Sequence, residues 1–379
     1  MLEYFTAGES HGPCLTGIIN GIPAGVKIDI EYINQSLKDR MKGYGRGDRM
    51  KIESDTCEIL AGIRNGETIG APIALMIKNH DFENWKGKTT EPITRPRPGH
   101  ADLIGAMKYR RNDMRDILER SSARETAMRV AVGAIAKTIL NEFNIDIISH
   151  VTKIGGISVN YQSYTIGQIK DNTKDSELNC ISSDTENEMK KLIDKCKDNG
   201  DTVGGVFQII VTGVPPCLGT YAYKNMKIDA IIASSLIGIN AIKGVEFGIG
   251  FGYADKLGSE VHDEISYSEE KSFYHTTNNA GGIEGGMSNG ENIIVNAVMK
   301  PIATLKKPLK SVDVRSKLAY EAVYERSDVC AVPAASKVAE AVVAVEILSV
   351  LINRYSGDTI EHMKTNYSND KFDFSWLNK

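Results

Sequence analysis

A globular fold that mixes helices and strands is what the sequence predicts, on three observations. Short β-like runs alternate with stretches of helical spacing, 35 glycines punctuate both, and 41% hydrophobic with 25% charged residues is an ordinary globular balance. A chain of 379 residues can bury a large core. At about 150 residues per domain that length suggests two or three domains, although no linker convincingly cuts the chain.

Residues 14–20 read as a strand, and so do 73–77, 206–211 and 293–298, which are rich in branched apolar side chains. Ser122-Ala123-Arg124-Glu125 matches the S-x-x-E capping box, and Ala127, Val130, Ala131, Ala134, Ile135 and Thr138 follow it at helical spacing. A second helix is predicted over 229–239. A third opens after Pro333 and runs through Val338, Ala339, Val342, Val343 and Ile347 towards Leu351. Residues 157–201 are polar and read as a surface excursion, with a solvated helix from Glu186 to Lys197. A faint internal similarity links Gly21-Ile22-Pro23-Ala24-Gly25 with Gly213-Val214-Pro215-Pro216. Each follows an apolar run and precedes a Lys-Ile-Asp, at 27–29 and 227–229. Two such segments are too few to establish a duplication.

The net charge of −4 and a pI near 6.0 exclude a general polyanion binder, yet they average over an asymmetry. Of 15 arginines, 12 lie between Arg40 and Arg129. A planar guanidinium fork suits carboxylate or phosphate better than the point charge of lysine, the commoner cation in this chain. Arg40, Arg46 and Arg49 flank Gly43-Tyr44-Gly45-Arg46-Gly47-Asp48, a stretch flexible enough to bring backbone and guanidinium groups to one anion. The aromatics of residues 40–129 are Tyr44, Phe82, Trp85 and Tyr109, without a stacking pattern, so no nucleic-acid partner is expected.

Six separated cysteines with no C-x-x-C predict reduced thiols and no metal site. With no basic leader and no apolar run near the roughly 18 residues that span a bilayer, a cytoplasmic protein without a membrane segment is expected. Gly8-Glu9-Ser10-His11-Gly12 fits G-x-S-x-G, but only seven residues precede it and Pro13 follows, where a nucleophile elbow needs a strand before and a helix after. His11 beside Ser10 still suits a proton donor or acceptor. His100, in Arg95-Pro96-Arg97-Pro98-Gly99-His100-Ala101-Asp102, has two arginines beside it. The run 278–286 and Lys300-Pro301-Ile302-Ala303-Thr304 suit a phosphorylated cofactor. Neither is a P-loop, and no G-x-G-x-x-G follows a strand.

Together these segments resemble the chorismate synthase family. The resemblance runs from Glu9-Ser10-His11-Gly12 through Arg97-Pro98-Gly99-His100-Ala101-Asp102, Arg120-Ser121-Ser122-Ala123-Arg124-Glu125-Thr126-Ala127, Gly204-Gly205-Val206, Asn279-Ala280-Gly281-Gly282-Ile283 with Gly285-Gly286, and Arg326-Ser327-Asp328 to the last long helix. It implies a single domain over residues 1–379 with an α+β fold, a β-α-β sandwich with helices packed between antiparallel sheets, and a homotetramer. It further implies the anti-1,4-elimination of phosphate and a ring hydrogen from 5-enolpyruvylshikimate 3-phosphate to give chorismate in the shikimate pathway. That reaction requires reduced FMN without net redox change, with NADPH as a possible source of the electrons.

By resemblance His11 protonates the reduced flavin, His100 serves the leaving phosphate, and Asp328 helps to draw the proton from the flavin. Arg40 and Arg46 match paired arginines assigned to substrate or NADPH, with Arg49, Ser10 and Arg124 near them. Arg120, Ser121, Ser122, Asn240, Ala241, Gly285, Lys300, Pro301, Ile302, Ala303, Thr304 and Arg326 match FMN-contacting positions. The chain departs from the family where many members carry three glycines, here Ile117-Leu118-Glu119, and where they carry a histidine, here Ser327. Glu284 adds an acid to the glycine-rich run.

Overall fold

The computed structural model describes residues 2–47, 54–88, 90–322 and 327–374. Strands β1 (Glu3–Ala7), β2 (Cys14–Asn20), β3 (Cys57–Ala61) and β4 (Ile73–Lys78) form an antiparallel sheet in the order β1-β2-β4-β3. Strands β5 (Asp146–Ile154), β6 (Gly205–Thr212), β7 (Ile242–Phe247) and β8 (Ile293–Met299) form a second, in the order β7-β8-β6-β5, with Ile157–Ser158 on the far edge of β5. The helices named below are α1 (Ile30–Met41), α2 (Asp102–Tyr109), α3 (Arg115–Ser121), α4 (Thr126–Asn141), α5 (Ser183–Asp198), α6 (Ile228–Ile237) and α7 (Val332–Arg354).

Alternation gives each sheet one apolar face: Leu15, Ile19, Ile73, Leu75 and Ile77 in the first, and Phe207, Ile209, Val211, Ile293 and Val295 in the second, are all fully buried. Between those faces lie α4, against the first sheet, and α7, against the second. Both helices are apolar on nearly every side, as a helix without a solvent face must be. They also pack on each other at backbone distance, since a Cβ on Gly133 would stand 2.4 Å from the Cβ of Ala341. The layers are therefore sheet, helices, sheet, the β-α-β sandwich that the resemblance implied.

The faint similarity of the two proline segments has a structural counterpart. Thr68 Oγ1 donates to the Pro23 carbonyl at 2.6 Å and accepts the Val26 N–H at 2.9 Å, while Ser288 Oγ donates to Pro215 at 2.6 Å and accepts from Leu218 at 2.9 Å. The Ile28 N–H bonds Gly66 O and the Ile228 N–H bonds Gly286 O, each at 2.9 Å. Each half is thus one plan: two strands, a turn locked by a hydroxyl from a small hairpin, a helix, two strands and a long buried helix. The halves diverge at the first strand connection. Residues 8–13 join β1 to β2, whereas β5 and β6 are joined by the polar excursion, which holds the helix Ile166–Thr173 and α5. The predicted surface helix is α5, and it docks through buried Glu186, Met189 and Ile193.

One local expectation is corrected. Ser122 does cap, but it opens a 3₁₀ turn over Ala123–Glu125, with Oγ accepting from the Arg124 N–H at 3.3 Å; α4 begins only at Thr126. Glu125 does not close a capping box. Its carboxylate reaches forward to Arg129 at 2.8 Å and across to the Thr6 hydroxyl.

Candidate active site

The loop between β1 and β2 is pinned by α3. Glu119 accepts the Ser10 N–H on its backbone carbonyl at 3.0 Å and the His11 N–H on Oε2 at 2.7 Å, and its Oε1 lies 2.8 Å from His11 Nδ1. The His11 ring rests on Trp85 with centroids 4.2 Å apart, and Asp81 Oδ2 stands 4.0 Å from Nε2. Burial pushes the Glu119 carboxyl up, but the two bonds from His11 outweigh it and hold the group below the usual carboxylate range. Ser10 is buried and donates to Ser122 Oγ at 3.1 Å.

Behind this loop two guanidinium groups enclose one carboxylate. Arg124 bonds Asp55 Oδ1 at 2.6 Å and Asn79 Oδ1 at 2.8 Å. Arg40 bonds Thr126 Oγ1 at 3.0 Å and Ala123 O at 2.9 Å, with Nη1 3.7 Å from Asp55 Oδ2. Both side chains are at least 95% buried. Burial pushes the Arg40 guanidinium below its usual range, opposed by the charge of Asp55. Arg40 and Arg124, expected beside a ligand, are buried here and bond protein groups that hold Ala123–Thr126 in place, with Arg40 Nη1 left without a hydrogen bond among the described residues. Arg46 Nη1 lies 2.7 Å from Asp328 Oδ2, and Oδ1 accepts the Gly47 N–H at 2.7 Å.

His100 belongs to a second cluster. Its Nδ1 is 2.6 Å from Asp102 Oδ1, and Arg97 brackets the same carboxylate through Nε at 2.8 Å and Nη2 at 3.0 Å while reaching Thr304 Oγ1 at 2.9 Å. Burial of Asp102 raises its carboxyl, but His100 and Arg97 together hold it far below the usual range. Lys300 Nζ donates to the Gly99 carbonyl, and its backbone N–H donates to Ala241 O at 3.0 Å. Burial, with Lys243 nearby, pushes the Lys300 ammonium down. Ala241 holds φ +67, and Asn240 Nδ2 donates to Ser121 O at 2.8 Å. Of the remaining run, Ile302 O accepts from Thr202 Oγ1, and Ala303 lies beside Gly99. Ser327 Oγ donates to Thr304 O at 3.0 Å, tying the Asp328 loop to this cluster.

The links form one chain: His11 and Ser10 to Ser122 and Glu119, Ser121 to Asn240, Ala241 to Lys300, Lys300 to Gly99 beside His100, and Thr304 to Ser327 beside Asp328 and Arg46. A depression of about 330 Å³ opens on it, lined by Arg120, Glu125, Arg129 and 237–240. Arg120 is exposed there, with Nη2 on the Thr6 carbonyl and hydroxyl at 2.8 Å. The guanidinium of Arg120 and the side-chain amide of Asn240 give this depression a donor set that fits a phosphorylated cofactor.

Gly285 sits in the hairpin that locks the start of α6, whereas Asn240 and Ala241 follow the end of that ten-residue helix. Glu284 does not face the cluster, its carboxylate lying 3.0 Å from His275 Nε2. Arg49 and Arg326 lie outside the described residues.

Sequence reasoning did not single out Asp55, Asn79, Trp85 or Asp81. Asp55 and Asn79 carry no local mark because their partner Arg124 is distant in sequence, whereas Asp81 and Trp85 bond each other within one turn and meet His11 only in the fold. Glu119 stood out only as a departure from three glycines, and Asp102 and Arg97 only as neighbours of His100. Among the described residues no group of three or more His, Cys, Asp or Glu side chains is placed to hold a metal, and no helix is long and apolar enough to cross a membrane.

A sheet–helix–sheet fold with histidines, paired carboxylates and guanidinium groups on its connecting loops defines an enzyme that handles small anions. The chain matches the chorismate synthase family over residues 2–352 and belongs to it, as a carbon–oxygen lyase acting on a phosphate ester. It is 54% identical to the chorismate synthase of Geotalea uraniireducens (strain Rf4) over 383 residues, covering 97% of this chain and 98% of that one. With the chorismate synthase of Listeria welshimeri it shares 50% identity, over 96% of this chain and 97% of the relative. A crystal structure of chorismate synthase aligns with a TM-score of 0.80 and 39% identity, covering 97% of this chain and 96% of that chain.

Proposed function

We propose that the chain removes phosphate and a ring hydrogen from 5-enolpyruvylshikimate 3-phosphate by anti-1,4-elimination, forming chorismate, and requires reduced FMN to do so. The observation that carries this reading is the continuous chain of bonds joining both histidines, Asp328 and the exposed cations. A phosphate and two carboxylates on one substrate need several matched cations in a site that excludes water. Arg120 is the exposed cation at the depression, Arg46 and Lys300 are partly buried beside it in the chain of contacts, and Arg40 and Arg124 keep the Ala123–Thr126 turn in position.

FMN would be held by Arg120, Ser121, Ser122, Asn240, Ala241 and the run from Lys300 through Pro301, Ile302 and Ala303 to Thr304. When bound, its reduced ring supplies an electron to the departing phosphate's carbon framework and recovers it at the end, so the reaction has no net redox change. The protein's own groups do the rest. His11 would be the acid that gives the reduced cofactor its neutralising proton. His100, fixed by Asp102 and Arg97, donates towards the leaving phosphate. Asp328, anchored by Arg46 and the Gly47 N–H, would help to draw the proton from the cofactor at the end of the sequence.

In this reading residues 1–379 act as one unit, a homotetramer working in the cytoplasm in the shikimate pathway. Pure protein with FMN and dithionite under anaerobic conditions is expected to release phosphate and chorismate in equal amounts, and no product with the flavin reduced would refute the proposal. Replacing dithionite with NADPH tests whether Arg46 and its neighbours also serve a nicotinamide donor. Light scattering on the purified protein checks the tetramer.

A further inference from the structure

We infer that Glu119 is a positioning residue that sets the tautomer of His11, keeping a proton on Nδ1 and leaving Nε2 as the ring atom that transfers one. The inference rests on the reading of His11 as the site's acid. A carboxylate has only acceptor oxygens. With one oxygen 2.7 Å from the His11 backbone N–H and the other 2.8 Å from Nδ1, both bonds require hydrogen on the histidine side. The ring is also held in orientation by Trp85, whose ring packs against it at a tilt of 38° with centroids 4.2 Å apart.

Among the described residues, the other charged groups near the ring are placed away from Nδ1. Asp81 stands 4.0 Å from Nε2, beyond bonding distance, and takes bonds from Trp85 Nε1 at 3.2 Å and Asn84 Nδ2 at 2.9 Å. Arg115 lies over the far ring, Trp85, at 5.1 Å. When the imidazolium gives up its Nε2 proton, the N–H electron pair stays on Nε2 and the neutral ring that remains is the Nδ1–H form. Glu119 accepts a hydrogen bond in both states, so the transfer needs no reorganisation on that side.

Glu119→Gln is the sharp perturbation, because it keeps the shape and removes one acceptor. If the amide oxygen keeps the His11 N–H, the amide NH₂ faces Nδ1 and demands a lone pair there, which moves the ring proton to Nε2. With chemically reduced FMN, kcat is expected to fall about 10–100-fold with KM changed by less than about threefold. In 15N-histidine spectra, neutral His11 is expected as the Nδ1–H tautomer in the unmodified protein and as Nε2–H in the variant. Glu119→Ala is expected to be as slow and to regain turnover with added formate but not formamide.

An unchanged tautomer, wild-type kcat in Glu119→Gln, or a rise in KM alone would overturn the inference. His11→Ala separates the two levels. Slow His11→Ala with fully active Glu119→Gln removes only the role of Glu119, whereas wild-type turnover in His11→Ala removes the acid assignment and the inference with it. In the double variant His11→Ala/Glu119→Gln the two losses are expected not to multiply, and fully multiplicative losses would count against a shared step.

Discussion

Replacing Asp55 by asparagine tests how the fold positions the site. The side chain is buried, and it is the counter-charge shared by Arg40 and Arg124. Asparagine keeps its volume, and each arginine keeps other bonds, Arg124 to Asn79 and Arg40 to Thr126 and Ala123 O. What disappears is the negative charge. At 3.7 Å and an effective dielectric constant near 20, its attraction to Arg40 alone is ~4 kcal/mol. Removing one member of a buried ion pair usually costs about 3–5 kcal/mol, because the remaining charge stays desolvated. We therefore expect Asp55→Asn to lower unfolding free energy by about 3–5 kcal/mol, read from urea unfolding at fixed protein concentration. Glu58→Gln is the control, since the exposed Lys78–Glu58 pair, at 2.7 Å, should contribute less than about 1 kcal/mol. Asp55→Asn within 1 kcal/mol of the unmodified protein would refute the view that these arginines are held by charge.

Three further outcomes are expected. Asp328→Ala should cut turnover at least tenfold with little change in substrate binding by calorimetry, because it removes the group that both Arg46 and the Gly47 N–H hold in place. Thr68→Val and Ser288→Ala should each lower unfolding free energy by about 1–3 kcal/mol, and by similar amounts, since each leaves one buried N–H and one carbonyl without the hydroxyl that joins them. Glu340 is buried in the core among Lys137, Lys337 and the Ser149 hydroxyl; burial pushes its carboxyl up, but the two lysines outweigh that and hold it at about 2, against 4.5 unperturbed. Its contribution is thus complete above pH 4.5 and fades as pH falls towards 2, so the stability gap between the unmodified protein and Glu340→Gln, measured by urea unfolding, should narrow from pH 7 to pH 3.

The strands at 73–77, 206–211 and 293–298 were legible because each is a branched apolar run in a buried sheet, and the structure extends each by a residue or two. The long helix after Pro333 was legible for the same reason of pattern. The turn at Ser122 was not, because a distant carboxylate decides it: Asp55 and Asn79 draw Arg124 inward, and no window around 122–125 contains them. The arginine segment shows the same limit more sharply. A guanidinium that binds a ligand and one that binds a buried aspartate look alike in sequence. Among the described residues Arg40, Arg97 and Arg124 are the buried arginines and bond protein groups, while Arg120 is exposed at the depression. His11 and His100 were legible as candidates, yet the carboxylates that orient them became visible only in three dimensions.

The duplicated plan explains where the site lies. In both halves the hydroxyl-locked hairpins sit at the starts of α1 and α6, and they do the same structural work, so they are where the halves agree. The candidate residues sit at the other ends of those helices and on the connections beyond. Arg46 follows α1 and Asn240 follows α6; His100 and Arg120 lie between β4 and α4, and Lys300, Thr304 and Asp328 lie between β8 and α7. Those last two connections are equivalent in the plan and clasp each other directly, through Arg97 with Thr304, Ser311 with the Pro96 carbonyl, and the Val314 N–H with Thr94 O. Asymmetry enters at the strand connections, where one half has the short loop bearing Ser10 and His11 and the other has the excursion over 157–201. A site at the seam of two matched halves is complete only when both are correctly packed, since Ser121 of the first half depends on Asn240 of the second. Loops supply the chemistry, and the paired helices α4 and α7, in contact at Gly133 and Ala341, fix the distance across which those loops must meet.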